Sequence, residues 1–148
     1  MHFTIKKLKG TDAELAKQLF WFYQVDDEVA EPLIPSNEYL KKLLTKNDFH
    51  VLVALQNDKL IGGLTAFELP MYKEEVNEMF LYEIAVEQEY RKMGVAKALI
   101  ENLKNICRDK GIKGMYVGTS TDNIPAMRLY KATGGEADEK IAWFVYEI

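Results

Sequence analysis

Apolar and polar positions repeat with two different periods along this chain, and the switches between them mark its elements. Residues 2–8 alternate with a period of two, Phe3 and Ile5 on one side, and predict an opening strand that Gly10 ends. Thr11 or Asp12 then caps a helix in which Leu15, Leu19, Phe20 and Phe22 recur at helical spacing, ending near Gln24. Asp26, Asp27, Glu28 and Glu31 form an acidic loop closed by Pro32 and Pro35, and Ser36 opens a second helix with Leu40, Leu43 and Leu44 as its apolar face. Period-two patterns return at 49–55 and 59–68 around the turn Gln56-Asn57-Asp58. The second run contains Gly62-Gly63, the mark of a bulge or a close backbone approach. After a charged connector carrying Glu74 and Glu75, residues 78–86 predict the central strand.

From Gly94 the period is helical again, with Val95, Ala98, Leu99, Leu103 and Ile106 on one face and Gly111 as the stop. Residues 113–119 predict a strand. Pro125 stands at the first helical position of a short helix over 126–132, and 141–148 predict a closing strand. The order β-α-α-β-β-β-α-β-α-β reads as a mixed α/β fold around one sheet, and its length predicts a single domain, 1–148.

Composition narrows the functions. Hydrophobic residues make up 48% of the chain, which excludes a disordered class. No apolar run is long enough to span a bilayer and no signal peptide opens the sequence, so the expected location is cytoplasmic. The lone Cys107 excludes an internal disulfide and is expected to pack within a helix. His2 and His50 lack partners at ligand spacing, so no metal is expected. A net charge of −4 argues against nucleic acid as partner and suits a cationic one.

The chemistry concentrates between Phe80 and Leu99. A strand, an Arg-x-x-Gly-x-Ala turn and a helix start follow one another there. A helix N-terminus leaves backbone N–H groups unpaired and carries partial positive charge, and a glycine in the turn lets a phosphate come close. Arg91 and Lys92 add cations at the turn, and a second turn-helix with polar groups at its start follows at Asn123 to Tyr130.

Arg91-Lys92-Met93-Gly94-Val95-Ala96 resembles the Gln/Arg-x-x-Gly-x-Gly/Ala signature of the GCN5-related N-acetyltransferases (GNAT superfamily). Ile84-Ala85-Val86 looks like that family's splayed strand, and Asn123-Ile124-Pro125-Ala126 through Tyr130 like its second motif. A nearer likeness is to the type I aminoglycoside 3-N-acetyltransferases, of the gentamicin class. Glu38-Tyr39-Leu40, Gly62-Gly63-Leu64, Leu69-Pro70 and 81–86 carry it. Two departures stand out: those enzymes carry Asp where this chain has Glu83, and Gly135 stands where many acetyltransferases have an aromatic residue.

The resemblance implies a GNAT fold: a mostly antiparallel central sheet with a splayed pair of strands, flanked by about four helices. It implies acetyl-CoA as cosubstrate and direct transfer of acetyl to a primary amine. The acceptor would be small and cationic, aminoglycoside-like, as in antibiotic resistance, or polyamine-like. Cofactor contacts would come from Ile84, Ala85, Val86, Arg91, Lys92, Met93, Gly94, Val95, Ala96, Lys97, Asn123 and Tyr130. Glu83 is the first candidate for the base that takes the amine proton, with Glu78 second. Tyr130 is the candidate acid for the leaving thiolate, and the Val86 N–H the donor to the thioester oxygen. Asp26, Asp27, Glu28 and Glu31, together with Glu74, Glu75, Glu78 and Glu83, form the expected anionic acceptor cleft, with Asp26, Asp27, Glu28, Glu78 and Glu83 as its candidate acceptor-binding residues. A peptide or protein amine as acceptor, and a non-catalytic CoA-binding module, remain as alternatives. The apolar run at 141–148 is consistent with a homodimer interface or a buried strand.

Overall fold

A computed structural model describes residues 1–148. The chain forms two units, Met1–Val117 and Gly118–Ile148. The first holds a five-stranded sheet in the order β1 (Thr4–Lys7), β2 (Phe49–Gln56), β3 (Lys59–Pro70), β4 (Asn77–Val86) and β5 (Met115–Val117). All neighbours are antiparallel except β4 and β5, which run parallel. Helices α1 (Ala13–Asp26), α2 (Asn37–Leu44) and α3 (Val95–Asp109) complete this unit. Leu19 and Tyr23 of α1 and Leu44 of α2 pack with Phe49, Val51 and Val53 of β2 in one core cluster. Leu99, Ile100 and Leu103 of α3 are also fully buried.

The two glycines in β3 mark a close approach. A Cβ on Gly63 would stand 2.7 Å from Leu19 Cδ1 and 2.8 Å from the Leu52 carbonyl oxygen, and one on Gly62 would stand 2.8 Å from the Ala85 carbonyl oxygen. Their absent side chains let α1 and β4 come in tight. The expected irregularity lies one residue earlier: Ala54 pairs with Gly62 and Leu55 with Leu60, so Ile61 is the extra residue.

A second bulge governs the site. Thr65 pairs with Glu83 but Ala66 with Leu81, which leaves Tyr82 as the extra residue in β4. Side chains alternate faces along a strand, so one inserted residue reverses the face of everything beyond it. Glu83 is thereby carried to the side of Thr65 and Tyr23, beneath α1.

β4 pairs with β5 only over Met79–Leu81. From Tyr82 to Val86, β4 continues without a neighbour on that edge within the first unit, which is the expected splay. The predicted strand at 113–119 thus shortens to Met115–Val117, whereas α1 runs two residues past its expected end and takes Asp26 into the helix.

The second unit contains α4 (Ile124–Ala132). Asn123 caps it, accepting from the Ala126 N–H at 3.2 Å, so Pro125 falls at the second helical position rather than the first. The closing strand expected at 141–148 does not form. A strand needs a neighbour to take its backbone hydrogen bonds, and its own unit offers none. Trp143, Phe144, Val145 and Tyr146 are exposed, and the Trp143 ring lies 3.2 Å from where a Gly118 Cβ would be.

Candidate active site

The C-terminus of α1 meets the splayed part of β4. Asp26 ends the helix and Asp27 is its C-cap, with no basic residue in the last turn. Acids here oppose the helix dipole, each at a cost of about 0.3–1 kcal/mol, so the sequence keeps a locally unfavourable arrangement. Asp26 is compensated: Arg91 Nη2 donates to its Oδ1 at 3.0 Å, while Arg91 Nε donates to the Val86 carbonyl at 3.0 Å. Arg91 therefore ties the glycine turn to the end of β4 and to α1.

Asp27 faces Glu83. Burial, the Asp27 charge, a hydrogen bond between the two carboxyls and the Asp26 charge together push Glu83 up to about 7. Tyr23 completes the surroundings. Its buried hydroxyl has no hydrogen-bond partner of normal geometry although Thr65 is adjacent, and burial and the Glu83 charge push its phenol up. A carboxyl that ionises near neutrality suits general-base work.

The turn that follows β4 is built for an anion. Gly94 is the N-cap of α3 at φ +83°, a conformation that favours glycine, and Lys92 also adopts a positive φ of 62°. No side chain caps α3. The Gly94 carbonyl takes the N–H of Ala98 at 2.9 Å, which leaves the first-turn amides of Val95, Ala96 and Lys97 without intrahelical partners. A Cβ at Gly94 would meet nothing within 4 Å, so the approach to these amides is open. These residues fit a pyrophosphate.

The backbone of β4 fits the role of a donor edge. The Glu87 N–H goes to the Ile61 carbonyl on β3 at 2.9 Å. Successive N–H groups of a strand point to opposite sides, so the Val86 N–H faces the open edge left by the splay.

The first unit thus brings together Asp26, Asp27, Glu83, Ile84, Ala85, Val86 and the stretch 91–97. It does not bring Glu78 to them. Glu78 lies at the far end of β4, paired with Leu69 and five residues, roughly 16 Å at about 3.3 Å per residue, from Glu83. Glu74 instead approaches Lys113 at 3.8 Å. Glu28, at φ 58°, is exposed and makes no side-chain hydrogen bond or ion pair with the group. Asn123 and Tyr130 belong to the second unit. There Asn123 serves as the cap of α4, and Tyr130 is half-buried with its phenol pushed up by burial. Pairing sequence motifs could not reveal Arg91 as a clamp on Asp26 or Tyr23 as a neighbour of Glu83. The first needs the α1 end point, the second the Tyr82 bulge.

Comparison with known proteins fits this geometry. The model of the Acetyltransferase (GNAT) family matches residues 15–134. The chain belongs to that family. Among solved structures, the GNAT chain resembles an aminoglycoside acetyltransferase, meta-AAC0020, from an uncultured soil metagenomic sample, in complex with sisomicin. The two are 29% identical with TM-score 0.92, over 99% of this chain and 96% of that one. A second soil aminoglycoside acetyltransferase, HMB0005, is 28% identical with TM-score 0.90, over 100% and 99%. The [Ribosomal protein bS18]-alanine N-acetyltransferase of Escherichia coli (strain K12) is 25% identical over 88% of this chain and 79% of its own length. N-acetyltransferase 8 of Homo sapiens is 28% identical over 66% of this chain, which spans 43% of that protein's length. No helix is long and apolar enough to cross a membrane.

Proposed function

We propose that this GNAT chain transfers the acetyl group of acetyl-CoA directly to a primary amine of a small cationic acceptor, aminoglycoside-like or polyamine-like. One observation carries the reading. A carboxyl raised to about 7, Glu83, sits with Asp27 and Asp26 beside an open, uncapped helix N-terminus. The acids suit a cationic amine and the helix end suits a pyrophosphate. The full-length likeness to aminoglycoside acetyltransferases supports the acceptor class.

In this reading, the amides of Val95, Ala96 and Lys97 hold the pyrophosphate of acetyl-CoA, with Lys92 and Met93 lining its approach. The backbone of Ile84, Ala85 and Val86 holds the pantetheine arm. The acceptor binds as an ammonium ion against Asp27 and Glu83. Glu83 takes a proton, leaving a neutral amine whose lone pair attacks the thioester carbonyl carbon. The C–N bond forms, the Val86 N–H donates to the oxygen as it gains charge, and the C–S bond breaks. Tyr130 gives its proton to the departing thiolate, the nitrogen releases its second proton to solvent as the amide forms, and the phenolate takes one back from solvent. Holding amine and thioester together supplies a large share of the acceleration.

A protein α-amine is the second reading, supported by the likeness to the bS18-alanine enzyme over most of both chains. An exposed apolar run at 143–146 supports self-association into a homodimer. The test of function is thiol release from acetyl-CoA with sisomicin, spermine and an alanine-starting peptide as acceptors. Release with sisomicin or spermine is expected. Release with the peptide alone would favour the second reading, and no release with any of the three would contradict both.

A further inference from the structure

We propose that Arg91 is a positioning residue of the reacting site: its guanidinium covers the Val86 carbonyl and grips Asp26, so that the splayed end of β4 offers the thioester oxygen a donor and no acceptor. The inference rests on the reading of the Val86 N–H as that donor and adds the side chain that clears the edge around it.

The geometry starts from one peptide. The Glu87 N–H donates to the Ile61 carbonyl on β3 at 2.9 Å. A trans peptide points its C=O opposite to its N–H, so the Val86 carbonyl is aimed away from β3, to the edge that the splay leaves open. The N–H and C=O of one strand residue lie on the same side, so Val86 presents one donor and one acceptor to that edge. An uncovered carbonyl oxygen there would repel a thioester oxygen that is gaining negative charge. A 3-10 turn over Gln88–Tyr90 brings the chain back, with the Tyr90 N–H on the Glu87 carbonyl at 2.9 Å and the Arg91 N–H on the Gln88 carbonyl at 3.3 Å. Arg91 Nε then donates to the Val86 carbonyl at 3.0 Å. Nη2 of the same guanidinium donates to Asp26 Oδ1 at 3.0 Å. One planar fork thus spans a backbone oxygen and a carboxylate, a geometry that the single ammonium of a lysine does not reproduce. The turn is strapped from β3 as well: Lys59 Nζ lies 2.9 Å from Glu87 Oε2 and 5.2 Å from the centre of the Tyr90 ring.

The pair with Asp26 sets how Arg91 acts. The two side chains are 50% and 39% exposed, so their bond adds little to folding stability and its effect is on aim. Asp26 ends α1, and through Arg91 that helix end, the last residue of β4 and the turn at 91–97 are joined. Two donors of the guanidinium are committed inside the protein, which leaves the phosphates of acetyl-CoA to the first-turn amides of α3.

The test separates aim from affinity. Acetyl-CoA affinity by calorimetry and thiol release with sisomicin or spermine are compared for wild type, Arg91→Met, Arg91→Lys, Asp26→Ala and the double variant Arg91→Met with Asp26→Ala. In both Arg91 variants kcat is expected to fall by about 10–10²-fold, with the Kd for acetyl-CoA changed by less than about threefold. Asp26→Ala should lower kcat in the same direction, and the double variant should be no slower than Arg91→Met, because Asp26 acts through Arg91. A Kd raised tenfold or more with kcat kept would make Arg91 a phosphate ligand and overturn the proposal. Full turnover in Arg91→Lys, or losses that multiply in the double variant, would overturn it too. A second readout needs no acceptor: the carbonyl carbon of Val86, followed by carbon-13 NMR of the whole chain, should shift in Arg91→Met as its hydrogen bond is lost. An unmoved signal contradicts the cover on that oxygen. If the signal shifts but wild type releases no thiol with any acceptor, the cover stands and the acetyltransferase reading falls. If wild type is active and Arg91→Met turns over at the same rate, the positioning role falls and the reading stands.

Discussion

Glu83 illustrates how much one side chain depends on neighbours far away in sequence. The motif likeness points to position 83, and the structure supplies what the likeness lacks: a bulge that turns the residue and two acids from α1 that raise it. Because Glu83 holds its proton more tightly in the folded chain than in the unfolded one, its ionisation costs stability. That cost is absent below about pH 4.5 and grows as pH rises toward 7. Glu83→Gln should therefore raise Tm by a few degrees at pH 8 and leave it unchanged at pH 4, by calorimetry at both pH values. The same variant should lower kcat/KM by about 10²–10⁴-fold. Activity lost together with stability at pH 8 would mean that the carboxylate is structural.

At the scale of elements, strands and helices follow periodicity closely, and the exceptions have causes the sequence does not display. The ends of α1 and β5 are set by packing and pairing partners rather than by local pattern. Gly63 was legible as a close approach, but not that Leu19 is what approaches. Gly63→Ala should destabilise the chain by about 1–3 kcal/mol in urea unfolding, since the new methyl meets both Leu19 and the backbone of β2. Glu68 was not singled out at all, because a lone glutamate at a strand end carries no signal. Yet its carboxylate, buried at 6% exposure, joins four elements or their flanks. It accepts from His50 Nε2 at 2.6 Å, from Asn77 Nδ2 at 2.7 Å and from Lys110 Nζ. Despite burial, these donors hold Glu68 down to about 2, while burial keeps His50 neutral below its usual range. The Glu68 contribution is present above about pH 4.5 and lost as pH falls through 2. Glu68→Ala should cost roughly 3–5 kcal/mol at pH 7 by urea titration, with the difference from wild type shrinking toward pH 2.5. A constant difference would contradict the ionised network.

At the scale of the molecule, the cosubstrate half of the site was more legible than the acceptor half. The turn at 91–97 is a contiguous local device, readable from spacing, and its helix end is open and has no side-chain cap. The acceptor acids come from separate segments, and proximity in composition misled: Glu78 and Glu74 share the charge of the cluster but not its place. The C-terminal run was read as a strand from its apolar pattern, yet pattern alone cannot provide the partner a strand requires. Its exposed aromatics lead to an expectation about assembly. Light scattering should give twice the chain mass at micromolar concentration, and Phe144→Ser with Val145→Ser should return it to the mass of one chain. A single-chain mass for wild type would contradict self-association.

The central claim is a raised carboxylate base serving acetyl transfer to a cationic amine. The most direct measurement is the pH dependence of thiol release from acetyl-CoA with sisomicin as acceptor, for wild type and Glu83→Gln. The account predicts that wild-type kcat/KM falls as pH drops through about 7, with Glu83→Gln slow and lacking that limb. A limb of equal height and midpoint in Glu83→Gln would contradict it.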